Sequence, residues 1–462
     1  MVRSAVDYLD ARLPFLDQAR DYVRKIFPDH WSFLLGEMAL YSFVLLLLTG
    51  VWLTFFFEPG MGDTVYHGAY TPLSGIRMSE AYSSVLRISF DVRGGLLIRQ
   101  IHHWAAVLFL SAIGLHLLRI FFTGAFRKPR EVNWLIGLTM FVVSLLEGFA
   151  GYSLPDDLLS GTGLRTAEGI TLSIPIVGTY LQMFFFGGEF PGTHIVGRLF
   201  SLHVLLLPGV LLALVGLHLM LVFTLGHTQW HGHGRTNRNV VGMPLFPQFA
   251  ARSTGLAFCT FGVCALAAAL AQINPVWVYG PYRPDQASTD AQPDWYVGFL
   301  EGAMRLMPGV ESRFLGHTVV WDVFIPAVVL PAVLFGVLYL YPFAERLLTR
   351  DKRTHHLCDR PRHAPVRTGL GVAGVVFYGV LLLAGSQDLL ANVFQTSVEL
   401  VNWTLRIAVL VLPFLAFALT RRLCLGLQER DMERVHEGVE TGWVRQNVSG
   451  GYEEEHRPLE RD

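Results

Sequence analysis

Five histidines fall inside long apolar stretches of this chain. His102, His103 and His116 share one stretch, and His203 and His218 share another. An ionisable side chain deep in an apolar span is costly, so it is a functional candidate by default. His102 and His116 are 14 residues apart. On an α-helix that is about 21 Å and four turns less about 40°. His203 and His218 are 15 residues apart, about 22.5 Å and four turns plus about 60°. Each pair therefore lies on roughly one helix face, with one member near each side of a membrane. A single histidine of this kind is as often a hydrogen-bonded core residue. Two pairs with matched spacing suit two six-coordinate haems stacked across a bilayer, each iron taking one imidazole from each helix. His103 points about 100° away from His102 and is read as a core residue.

Flanking residues fit the same chemistry. Haem propionates are anionic and pair with guanidinium groups. Arg99 and Arg198 precede the positive-side histidines, and Arg119 follows His116 by three. The competing role for such arginines is snorkelling to lipid headgroups. Glycines repeat the interval. Gly36 and Gly50 are 14 apart, as are Gly137 and Gly151. A macrocycle edge packed on a helix needs residues without Cβ at closest approach. Small residues also pack plain membrane helices, so the shared interval is the informative part.

Two carboxylates, Asp294 and Glu301, lie in an otherwise apolar, aromatic stretch with Pro293, Trp295 and Tyr296. Carboxylates in such a setting could act as bases that take a proton from a substrate. Burial raises a carboxyl pKa towards a useful range. Seven residues are two helical turns, so one helix face could present both. The structural alternative is a cap for Asp294 and a solvated surface position for Glu301. Tyr152 is a candidate hydrogen-bonding wall of the same site. Glu147, in the third span, needs a partner or a proton, and either a proton path or a structural bond would serve. His227, His231 and His233 read as a surface loop rather than a metal or quinone site. Cys259 and Cys264 read as core residues.

The elements that must position these residues follow from composition. The chain has 462 residues, 52% hydrophobic and only 16% charged, with mean hydropathy +0.41. That excludes a disordered chain and argues against a soluble multidomain enzyme. A net charge of −1 removes any general electrostatic case for nucleic acid. The 4 cysteines are too few for a disulfide scaffold, and no Cys-x-x-Cys-His motif occurs. No cleavable signal peptide is expected. The fold class expected is an all-α integral membrane protein with eight transmembrane helices. They run Leu34–Phe57, Leu96–Phe122, Trp134–Leu154, Leu199–Leu225, Leu256–Ile273, Thr318–Tyr341, Leu370–Gly385 and Val401–Leu419. The organisation expected is an amphipathic segment (1–33), a dihaem four-helix bundle (34–225), a C-terminal four-helix part (226–419) and a solvated tail (420–462). The loops after the third and fifth spans contain segments able to form short surface helices. Most Lys and Arg lie on the side of the two termini, which places both termini in the cytoplasm.

With these residues in hand, the sequence closely resembles cytochrome b of the quinol–cytochrome c reductase (cytochrome bc) family, in its fused eight-helix form. The resemblance covers roughly Leu34 to Leu419. It rests on the four histidines, the four glycines, the three arginines, Gly151-Tyr152-Ser153-Leu154-Pro155 and Pro293-Asp294-Trp295-Tyr296. The 15-residue interval looks like the bacterial and chloroplast branch. The wording around Arg99–Trp104 and from His227 to Gly242 looks most like actinobacterial members. Three departures stand out. The family's usual glutamate in the Pro-Glu-Trp-Tyr motif is Asp294. Glu301 stands where mitochondrial members often have tyrosine. No cysteine precedes Cys259, so the extra haem of chloroplast members is not expected.

The resemblance implies two non-covalent haem b groups, bifurcated quinol oxidation at the positive side, quinone reduction at the negative side, and proton translocation in the cell membrane. It implies a Rieske iron–sulfur subunit and a c-type cytochrome as partners, a homodimer, and possible association with a terminal oxidase. Actinobacterial likeness points to menaquinone. Two other readings use the same residue types. A dihaem membrane anchor of another quinone-linked oxidoreductase would need fewer spans and no Pro293–Tyr296 motif. A transporter with a histidine proton relay would show inverted repeats or broken helices.

Overall fold

The computed structural model describes residues 12, 23–188, 192–286, 292 and 294–458. Pro293 and most of the segment before residue 34 lie outside the described residues. Among the described residues, eight helices are long and apolar enough to cross a membrane. They are α1 (Leu34–Thr54), α3 (Gly95–Phe122), α4 (Glu131–Tyr152), α7 (Ile195–Leu225), α8 (Ala250–Leu270), α10 (Trp321–Thr349), α11 (Pro365–Gly385) and α12 (Val398–Glu437). Shorter helices between them include α2 (Glu80–Phe90), α5 (Leu158–Leu172), α6 (Gly178–Phe186) and α9 (Gly298–Leu306). The short surface helices expected after the third and fifth spans are α5, α6 and α9. Antiparallel pairs of short strands trim the loops, and one of them ties Ile26–Phe27 to Met243–Pro244 just before α8.

α1 packs along α3, and α4 along α7. The four enclose the histidines. Between the two histidine levels sits an apolar layer of Ala39, Phe43, Phe109, Ala112 and Leu211. In it the Phe43 and Phe109 rings stack with centroids 5.5 Å apart. Side-chain to backbone bonds join the remaining spans to this bundle. Gln100 exchanges two hydrogen bonds with the Ile273 backbone, and Trp104 Nε1 donates to Ala271 O at 2.7 Å. Trp134 Nε1 donates to Leu338 O at 2.9 Å. Many large apolar side chains on the spans are exposed, as lipid-facing positions must be.

Two features depart from the expectation. First, α7 starts at Ile195 and widens into a π-helical turn at Leu202–Leu206. Pro208 follows closely. It has no N–H to give Val204, and its ring crowds that carbonyl, so a wider turn relieves the ladder. The turn absorbs one residue. The 15-residue interval of α7 is thereby brought close in phase to the 14-residue interval of α3. Second, the stretch from Thr420, mostly exposed as expected, carries regular structure. It continues α12 to Glu437 and then forms the hairpin Val439–Gln446/Tyr452–Arg457. Asp431 pairs with Arg362 at 2.7 Å, and Gln428 donates to Arg362 O. These bonds hold the helix where hydropathy has ended.

Candidate functional site

His102 on α3 and His203 on α7 face one another. Their ring centroids lie 6.0 Å apart, with planes at 77°. An imidazole–metal–imidazole axis with metal–nitrogen bonds of about 2.0 Å sets ring centres about 6 Å apart. His102 Nδ1 is 2.9 Å from Thr49 Oγ1. His203 Nδ1 is 3.0 Å from the Glu147 carboxylate and 3.2 Å from its backbone oxygen. With Nδ1 engaged on both rings, Nε2 is the nitrogen left for a metal, the usual arrangement around a ligating histidine.

Each expected glycine meets one expected histidine. A Cβ built on Gly50 would lie 3.2 Å from His102, and one on Gly36 would lie 3.2 Å from His116. At Gly151 it would press into His203, 2.8 Å from Nδ1, and at Gly137 it would stand 3.8 Å from His218. The glycines therefore admit the imidazoles themselves, not only the edge of a macrocycle. Absence of Cβ lets α1 approach α3, and α4 approach α7, at the two ligand levels.

The arginines divide. Arg99 and Arg119 are largely desolvated, and each has Nε and one terminal nitrogen buried without a hydrogen-bond partner. Arg119 also lies over the Phe33 ring at 4.2 Å. A buried guanidinium with unmade hydrogen bonds is costly, so these two suit the carboxylates of a haem. Arg198 does not join them. It is exposed and donates to the carbonyls of Phe184 and Phe185 at 2.7 and 3.0 Å. The unpaired carbonyls ending α6 claim it, as a helix C-terminus favours a cation.

A cavity of about 300 Å³ opens beside the His102–His203 pair. It is lined by Arg99, Glu147, Tyr152, Asp157, Asp294 and Tyr296 as well as both rings. Tyr296 Oη donates to Asp294 Oδ2 at 2.9 Å. Burial, and then Asp294 itself, pushes the Tyr296 phenol well above its usual pKa, so it stays a donor. A Cβ on Gly148 would come within 2.8 Å of that hydroxyl, so Gly148 makes room for the tyrosine. His103, read from sequence as a core residue, lines the cavity too, with Nε2 3.8 Å from Asp294 Oδ1.

Not every expected residue converges here. Trp295 packs edge-on to Tyr296 at 6.2 Å and is 38% exposed. Glu301 and Asp294 do not share a helix face, because α9 begins only at Gly298. Glu301 is not in the cavity wall. It pairs with Arg305, which also holds Asp388 at 3.2 Å. Burial raises the Glu301 pKa while Arg305 opposes the shift. His227 stacks on Phe27 at 4.1 Å, and burial, then Lys25 and Arg130, pushes its pKa down to about 4. Among the described residues, His227, His231 and His233 form no ligand cluster. Sequence reasoning missed Thr49, Gly148 and Asp157. A small residue one turn before Gly151 was the only signal for Gly148.

A helical bundle holding facing imidazoles between its spans is the architecture of a transmembrane haem protein. Comparison with known proteins narrows this. A family model described as cytochrome b (N-terminal)/b6/petB matches residues 107–281. The chain is 56% identical over 456 residues to the cytochrome bc1 complex cytochrome b subunit of Streptomyces coelicolor, covering 99% of this chain and 84% of that one. It is 50% identical over 464 residues to the subunit of the same name from Mycobacterium tuberculosis, covering 99% and 83%. A solved hyperthermophilic respiratory Complex III chain superposes with TM-score 0.67 at 20% identity, over 91% of this chain and all of that one, which supports the fold. The chain belongs to the cytochrome b family of cytochrome bc1 complexes, is a multi-pass membrane protein, and is a haem b subunit of a multi-subunit complex.

Proposed function

We propose that this chain is the quinol-oxidising subunit of a respiratory quinol–cytochrome c reductase, working with menaquinol. The carrying observation is one cavity that holds both the Asp294–Tyr296 pair and the His102–His203 pair. His102 with His203, and His116 with His218, would hold two haem b groups, one at each level. Bound there, haem supplies a one-electron acceptor. Arg99 and Arg119 neutralise its carboxylates.

The protein's own groups handle substrate and protons. Tyr296 fixes one oxygen of Asp294 and leaves Oδ1 for a quinol hydroxyl. Asp294 takes a proton as that hydroxyl is oxidised. Tyr152 forms a hydrogen-bonding wall. The apolar residues around them exclude water and strengthen each polar contact. One electron leaves to a Rieske iron–sulfur subunit and then to a c-type cytochrome subunit. Haem held at each level would offer the other electron a route towards the negative side, where quinone would be reduced near the cytoplasmic face. The Lys/Arg distribution supports this orientation, with both termini cytoplasmic in the cell membrane. The complex is a homodimer, as family resemblance suggests, and a terminal oxidase is a further candidate partner.

Asp294→Asn tests the reading. Quinol-driven reduction should fall by about a hundredfold or more, while the haem content and spectrum stay intact. Normal turnover of that variant sinks the proposal.

A further inference from the structure

A second cavity, of about 180 Å³, shares no residue with the first. Its wall includes Arg127, His231, Asn237, Arg353, Thr354 and Asp359. They come from three loops, after α3, after α7 and after α10. In the orientation proposed above, all three loops lie on the cytoplasmic side.

The wall has donors to spare and no free acceptor charge. Asp359 is its carboxylate, and both oxygens are taken. Oδ1 pairs with Arg127 Nη2 at 2.8 Å, and Oδ2 accepts from Arg367 Nη2 at 2.5 Å. Arg127 Nε donates to Gly124 O at 3.0 Å. Arg353 grips Asp351 through Nε and Nη2, at 3.1 and 2.9 Å. That leaves Nη1 of each arginine. Among the described residues, those two nitrogens, Asn237 Nδ2, the Thr354 hydroxyl and the His231 ring have no protein partner.

The wall is also shaped in advance. Asn237 Oδ1 accepts from the backbone N–H groups of His356 and Leu357, at 2.8 and 3.0 Å. Gln229 N donates to His356 O, and Cys358 N to Gln229 O, both at 2.8 Å. His355 N donates to Lys128 O at 2.9 Å. A Cβ on Gly124 would come 2.8 Å from Arg127 Nε and 2.7 Å from an Arg367 nitrogen, so this glycine makes room for both guanidinium groups. With the three loops already stitched together, a ligand has little left to order, which favours binding.

We propose that this cavity binds an anionic phosphate group. Arg127 Nη1 and Arg353 Nη1 supply the charge, and His231, Thr354 and Asn237 supply further donors. Guanidinium–phosphate bonds are charge-assisted and strong. Two sources carry such a group, the headgroup of an anionic phospholipid and free inorganic phosphate. Basic pockets between spans on this side suit headgroups. Leu347 and Leu348, in the last turn of α10, are 78% and 83% exposed and offer apolar surface to acyl chains. Occupancy bears on the negative-side level. Arg130 Nη1 donates to His355 O at 2.7 Å and Nη2 to Gly226 O at 2.8 Å. Gly226 ends α7, the helix of His218, so a ligand that ties these loops steadies that end of the helix. The inference goes beyond the quinol reading and does not depend on it.

The test uses the purified, haem-loaded complex in detergent, titrated with phosphatidylglycerol, with phosphatidylcholine or with inorganic phosphate. Native mass spectrometry reads lipid bound per chain, and thermal unfolding reads the shift in Tm. Phosphatidylglycerol should bind and raise Tm, and zwitterionic phosphatidylcholine should do so far less. A response to phosphatidylglycerol alone identifies the lipid source, and a response to inorganic phosphate identifies the soluble ion. Arg353→Gln alters a side chain that is 82% exposed, so the fold is not at stake. Its affinity should fall by about tenfold. Arg360→Gln, exposed on the same loop but outside the wall, should bind as wild type does, which separates a site from a merely basic surface. Unchanged affinity in Arg353→Gln, equal losses in the two variants, or no response to either phosphate source overturns the proposal. None of these readouts needs turnover, so a complex that binds phosphate but oxidises no quinol supports this site and counts against the quinol reading alone.

Discussion

The two histidine levels share one spacing and differ in nearly everything around it. At the positive-side level both Nδ1 atoms are engaged, by Thr49 and by Glu147. At the His116–His218 level Nδ1 of His116 is buried without a hydrogen-bond partner, and His218 has a backbone bond to Asn133 but no carboxylate beside it. The first level opens into the cavity with Asp294. The second is flanked by Arg119 over Phe33. Ligand identity can thus be repeated while ligand basicity is not. A carboxyl oxygen accepting from Nδ1 would make the imidazole a stronger donor and favour oxidised iron. The level with Glu147 should therefore have the lower potential, and an electron arriving there runs downhill to the other.

The largest test of this contrast removes one level at a time. His203→Leu should leave one haem per chain and abolish quinol-driven reduction. His218→Leu should also leave one haem but keep the reduction of the positive-side level. A pyridine-haem count with a redox titration reads both, and two haems in either variant would break the pairing. Next come the glycines. Gly151→Ala presses a methyl into the His203 ring, whereas the nearest atom at Gly137 is 3.8 Å away. The first should shift or lose one spectral component, and the second should change the spectrum far less. Equal effects would mean that the levels are packed alike. Glu147→Gln removes a charge-assisted bond of about 1.5 kcal/mol. One-electron potentials move about 59 mV per tenfold change. The positive-side midpoint should rise by roughly 60 mV, with the other unmoved. Equal shifts at both levels would contradict the assignment. The smallest effect belongs to Glu301→Gln. Its carboxylate pairs with Arg305 away from the cavity wall, and a partly exposed pair is worth about 0–1 kcal/mol. Turnover should stay within about threefold of wild type, and a collapse would return Glu301 to the site.

The periodic part of the site was legible because helix geometry leaves it little choice. Ligands on one face must recur near multiples of 3.6, so the histidines and glycines stood out from the sequence. The direction of a long side chain is not periodic. Arg198 lies close to His203 in sequence, yet the ending of α6 turns it away. The phase of α7 was hidden for another reason. Counting along an ideal helix put His218 about 60° past His203, and only Pro208 hinted at the wider turn. Asp294 was found through its motif. Thr49, Gly148 and Asp157 emerged only once helices distant in sequence were packed together. Hydropathy marked where α12 leaves the apolar layer, but not that its backbone ladder continues to Glu437.

Phe109 stands seven residues from both His102 and His116 on α3, and Phe43 seven from both Gly36 and Gly50 on α1. Their stacked rings, with Ala39, Ala112 and Leu211, span the middle of the bundle. An electron can tunnel through such a layer. A proton needs a chain of donors and acceptors, and these side chains offer none. The layer insulates against one carrier and transmits the other. On the proposed function, that selectivity would prevent a short circuit and let a voltage build across the two halves of the same polypeptide.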